Sequence, residues 1–132
     1  MPASQEQLSQ LTATNASVNA VPYVADNPAF GELPDTWKVR PDGKGFLCRD
    51  YAIAKATELV DQGWPKADLS VVLCYDELGD YHAVLAAEAG GETWILDNRY
   101  PKPYRWDEPP YPYKWALRQV AGTDEFRDIS QA

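Results

Sequence analysis

Three side chains in this sequence have the types needed to break an amide bond together. Cys48 lies in GFLCRDYAIAK, His82 in YHAVLA and Asp97 in ETWILDN. A thiolate can attack a carbonyl carbon, an imidazole can take and return the proton, and a carboxylate can hold the ring in position. His82 is the single histidine of the chain, so an imidazole role can fall nowhere else. Each residue also has a plainer reading. A cysteine is commonly a small buried apolar side chain. A histidine on a strand is commonly just hydrogen-bonded, and an acid before Asn98 and Pro101 commonly starts a turn. Reading all three plainly needs three coincidences, so the joint reading outweighs its members.

The elements that must position these residues follow from spacing. Cys48, Ala52, Ala56, Leu59 and Val60 recur on one face of a helix, which predicts a helix from Cys48 to Gln62. Gly63 suits the position after its end and Pro65 bars continuation. Cys48 then sits in the first turn, where the helix dipole favours thiolate, on the face turned toward a sheet. Strands are expected at Leu69–Tyr75, Tyr81–Glu88 and Thr93–Asn98, joined by DELGD and AGGE. A hairpin centred on Gly90–Gly91 places Val84 opposite Asp97 and His82 diagonal to it on the same face. Diagonal pairs lie ~7 Å apart at Cα, within reach of an imidazole and a carboxylate. A three-residue loop would instead put the two on opposite faces.

The remaining chain frames this unit. Residues 4–20 read as a polar helix with a thin apolar face (Leu8, Leu11, Ala16, Val18), stopped at Pro22 and packed at the domain edge. Residues 22–45 are broken by prolines and glycines, with Phe30 and Trp37 as anchors. Tyr100–Tyr113 is rich in proline and aromatics and reads as a rigid loop bordering a cleft. Lys114–Val120 is a last strand candidate, and a polar, frayed tail starts at about residue 122. Cys74, in SVVLCY, reads as core. The whole is a single domain over 1–132 of α+β class, with helices on one side of an antiparallel sheet.

Composition narrows the function classes. The formal net charge is -8 and the basic residues are scattered, which argues against a nucleic-acid footprint. Two cysteines and one histidine fall short of a four-ligand zinc site or a disulfide scaffold. No run approaches ~18 apolar residues, and the first residues lack the pattern of a secretory signal. The expectation is a cytoplasmic protein without membrane or nucleic-acid partners. The sequence leaves its oligomeric state open.

The elements GFLCRDYAIAK, YHAVL and ILDN, in that order, resemble the bacterial transglutaminase-like cysteine proteinases. VNAVPYVAD followed by DTWKV is similar to the segment that precedes the cysteine in that family. The resemblance implies a papain/transglutaminase-like fold, a Cys48–His82–Asp97 triad, and a protein or peptide substrate attacked at an amide. That family has a tryptophan lining its cleft at the place of Trp37, and Arg49 and Asn98 are further candidates for substrate binding or cleft lining. Calcium-dependent members carry acids on both sides of the cysteine, whereas Leu47 and Arg49 stand here, leaving Asp50 alone nearby. The expectation is therefore no metal and no cofactor, since hard cations need several oxygen ligands. Arg49 offers positive charge that would favour the thiolate. Two alternatives stand beside the peptidase: a deamidase or transglutaminase acting on glutamine side chains, and a module that keeps the fold for binding without turnover.

Overall fold

The computed structural model describes residues 4–20, 47–79, 81–121, 123 and 125–130, with the backbone alone for residues 47–50 and 81. Phe30 and Trp37 lie outside the described residues, as do the side chains of Cys48 and Arg49.

Helix α1 spans Gln5–Asn19. Its start is written in the sequence: the Ser4 hydroxyl accepts from the Gln7 amide while the Gln7 side chain accepts from the Ser4 amide, a reciprocal cap. Helix α2 spans Leu47–Asp61, one residue out at each end from the expected bounds. It stops where Gly63 takes φ 103°, a left-handed conformation that a side chain resists. A single 3₁₀ turn at Lys66–Asp68 then leads into the sheet.

The strands are β1 Leu69–Tyr75, β2 Tyr81–Ala89, β3 Glu92–Leu96, β4 Tyr104–Arg105, β5 Lys114–Gln119 and β6 Phe126–Asp128. They form one antiparallel sheet in the order β4-β3-β2-β1-β5-β6. The chain meanders from β1 to β4, then crosses to pair β5 with the other edge of β1. The tail does not fray as expected, because Phe126–Asp128 pairs with β5. Phe126 also packs against the apolar core, which supplies the burial that the polar composition hides.

Both sheet faces are covered, so β1 is buried along nearly its whole length. Leu69, Val71, Leu73, Ala83, Leu85 and Ala87 face the helices and cluster with Leu11, Ala52, Ile53, Ala56 and Leu59. The alternate residues Val72, Cys74, Val84, Ala86 and Ile95 face Tyr104 and Tyr113. The proline- and aromatic-rich segment is thus the lid of the second face, with Tyr100, Tyr111 and Trp115 packed at its margin. Helix α1 packs on α2 rather than on the sheet alone, burying Leu11, Thr14, Asn15 and Val18.

Candidate active site

The hairpin carries the site. Gly90 and Gly91 have φ 63° and 77°, the left-handed pair that a two-residue turn of matching twist requires. The register that follows is Ala89↔Glu92, Glu88↔Thr93, Ala87↔Trp94, Ala86↔Ile95 and Leu85↔Leu96. Strand β3 ends at Leu96, one residue before Asp97, so Asp97 and Asn98 begin a turn instead of extending the strand. The register nonetheless leaves Asp97 beside the start of β2, and His82 Nε2 lies 2.8 Å from Asp97 Oδ1.

Asp97 is fully buried and accepts from every side. Besides His82, its Oδ1 accepts the Arg99 backbone N–H at 2.9 Å, the turn that a plain reading of this acid anticipates. Its Oδ2 accepts the hydroxyls of Tyr104 at 2.8 Å and Tyr113 at 2.7 Å. Burial opposes its charge, but the His82 bond and charge, with the Arg99 amide and the Tyr113 hydroxyl, outweigh that and hold its pKa at about 2. An ionised carboxylate can only accept, so the His82 proton sits on Nε2 and Nδ1 is the basic nitrogen. Both tyrosines are pushed up from the usual phenol value, by burial first and then by the Asp97 charge, and so remain donors.

A further layer fixes the turn. Arg99 makes a bidentate pair with Glu77 at 2.8 and 2.7 Å and stacks 4.1 Å over the Tyr111 ring. Asn19, at the end of α1, donates to the Asp97 carbonyl at 3.1 Å, and Asn15 donates to the Tyr100 and Pro101 carbonyls. The Asn98 amide oxygen is buried without a donor among these contacts, and Asn98 lines a cleft with Asn19, Arg99 and Tyr100.

Helix α2 lies on the face opposite His82, since its residues cluster with Ala83 and Leu85, while His82 tilts against Tyr113 at 5.4 Å. Its direction brings the first turn toward the site all the same. Contacts of α1 with the α2 region run from Gln10–Trp64 through Thr14–Gln62 to Ser17–Glu58, which makes the two helices antiparallel. Because Asn19 then reaches Asp97, the first turn of α2, with Cys48 in it, points to the end of the sheet that holds His82 and Asp97. Cys74 is the direct cross-strand partner of His82 but has no exposed surface, in keeping with a core residue.

The sequence reading missed Tyr104 and Tyr113, which close the Asp97 site. Their signal was the run YPKPYRWDEPPYPYKW, in which nothing marks two hydroxyls out from the other tyrosines. It also missed Lys55, a lysine in α2 with 1% exposure. Among the described residues, no group of three or more His, Cys, Asp or Glu is placed to hold a metal ion, and no helix is long and apolar enough to cross a membrane.

Comparison with known proteins agrees with this architecture. A search of curated protein sequences gives no match. Among solved structures, calcium-bound Legionella pneumophila LapG is similar with a TM-score of 0.67 and 28% identity, over 92% of this chain and 68% of that one. LapG of the same organism matches at TM-score 0.66 and 28% identity over the same shares. Its EGTA-treated form matches at 0.59 and 27% identity, over 93% of this chain and 72% of that one. The sequence profile of the bacterial transglutaminase-like cysteine proteinases (BTLCP) matches residues 1–131. With two α-helices on a six-stranded antiparallel sheet among its described residues, this chain belongs to that family of cysteine peptidases and has its α+β papain/transglutaminase-like fold.

Proposed function

We propose that the protein cleaves an amide of a protein or peptide substrate through a Cys48–His82–Asp97 triad. The observation that carries this reading is the 2.8 Å contact of His82 Nε2 with a fully buried, ionised Asp97. It leaves Nδ1 as the nitrogen that takes the Cys48 thiol proton. The thiolate attacks the carbonyl carbon, and the oxyanion meets backbone N–H groups at the start of α2. Collapse of the adduct breaks the C–N bond, and the His82 imidazolium returns its proton to the leaving amine. Water, deprotonated by His82, then releases the acyl group from Cys48. The likeness to LapG supports a protein substrate. We propose that the reaction proceeds without calcium, because Leu47 and Arg49 flank Cys48 and leave Asp50 as the one adjacent carboxylate.

The test is alkylation of Cys48 by iodoacetamide as a function of pH, beside His82→Ala, followed by trapping of acyl adducts from a proteome with Cys48→Ala as the blank. A thiol ionised well below ~8.5 whose reactivity depends on His82 is expected. A thiol that titrates like free cysteine in both proteins would instead mark a binding module without turnover.

A further inference from the structure

We infer that Tyr104 and Tyr113 are positioning residues of the site, two hydroxyl donors on one oxygen of Asp97 that fix its rotamer and hold down the basicity of His82. The inference rests on the triad reading for its catalytic meaning, while its geometry stands on described residues alone.

Asp97 presents two oxygens with divided duties. Oδ1 faces the His82 Nε2–H and the Arg99 amide, and Oδ2 faces the two hydroxyls. With donors on both oxygens the carboxylate cannot swing, so the imidazole edge it holds is fixed as well. Both phenols come from the aromatic lid, Tyr104 from β4 and Tyr113 from the residue before β5, and each is at least nine-tenths buried. They are held by rings rather than by hydroxyls. Tyr104 packs edge-on to Tyr100 at 5.9 Å, and Tyr113 packs against Trp115 at 5.8 Å and His82 at 5.4 Å. Phenylalanine at either position would keep this packing and delete the donor.

The electronic consequence has a definite sign. A donor on Oδ2 draws carboxylate charge away from Oδ1. Without it Oδ1 binds the imidazolium more strongly, and the His82 pKa rises. Among the described residues, the charged and titratable neighbours include Arg99, whose guanidinium donates to the Tyr113 hydroxyl at 3.3 Å. Cys74 lies across the strand pair from His82, and Glu77 is tied up by Arg99 in the turn beyond Asp97. None of these donates to Oδ2 among the contacts seen, so the hydroxyls are the adjustable part of the pair.

The presence of one histidine makes the test direct. Nitrogen NMR of the imidazole in the full chain reads both its tautomer and its pKa without any substrate. Tyr104→Phe and Tyr113→Phe are each expected to raise the His82 pKa by roughly 0.5–1 unit, a fraction of what a hydrogen bond to a charged group supplies. Tyr100→Phe, in the same aromatic cluster but without a hydroxyl on Asp97, is expected to leave it within about 0.2 unit. If neither phenylalanine variant moves the pKa or the tautomer, the positioning role is wrong, and a change equal to that of Tyr100→Phe would show the tyrosines to be packing only. The iodoacetamide titration separates the two readings. A thiol indifferent to His82 removes the triad, yet a raised His82 pKa in the variants would still establish the tyrosine–carboxylate control of the imidazole.

Discussion

Replacing Asp97 by asparagine separates the charge of the site from its shape. Asparagine keeps an oxygen toward the His82 and Arg99 donors, and its amide nitrogen meets the two tyrosine hydroxyls, which rotate to accept. The two hydroxyl protons then lose the acceptor they had in Oδ2, so the loss is that of the charge plus a pH-independent share from those donors. Asp97 titrates at about 2 against an ordinary 3.8, which corresponds to about 2 kcal/mol of native-state stability at pH 7. For a chain of this length that is roughly 6–10 °C in Tm. Asp97→Ala should cost more, about 4 kcal/mol or above, because it strands the His82 and Arg99 donors as well. The sign of the pH dependence follows from a depressed pKa. The contribution is complete above about pH 4 and drains as pH falls through about 2, where the unfolded chain takes up the proton first. Urea unfolding followed by tryptophan fluorescence should therefore show the gap between wild type and Asp97→Asn narrowing by about 1 kcal/mol from pH 7 to pH 3. A gap of the same size at both pH values would mean that the Asp97 charge is not what stabilises the fold, and the electrostatic account of the site would fall.

Other perturbations probe the parts around this pair. Gly91→Ala meets no atom within 4 Å, so its effect is that of the left-handed backbone alone, an expected loss of about 1 kcal/mol in urea titration with the register retained. Arg49→Ala should slow alkylation of Cys48 at pH 6 by several-fold if the guanidinium favours the thiolate, and an unchanged rate would remove that role. Saturating calcium followed by EGTA should leave both Tm and the Cys48 alkylation rate unchanged, whereas a Tm shift of several degrees would reveal a site beyond Asp50.

The legible parts of this protein share one property, which is that their causes are local. The α1 start is set by Ser4 and Gln7 within one turn, the α2 end by Gly63 and Pro65, and the β2–β3 register by two adjacent glycines. That register alone places His82 beside Asp97. The errors lie where cause is distant. The residues after 122 look polar and frayed in isolation, and only pairing with β5 and contact of Phe126 with the core order them. Strand β4, two residues long, carries too little pattern to be read at all.

The sequence by itself thus determined the α+β class, the hairpin and the His82–Asp97 pair, because periodicity and turn chemistry act between near neighbours. Tertiary structure decided which sheet face each element occupies, sending α2 to one side and His82 to the other. It also chose, among the described tyrosines, the two that close on Asp97. A hydroxyl carries no mark of its partner along the chain. Its role is set by the crossing of the aromatic segment over the sheet, where burial leaves the carboxylate as the acceptor it meets.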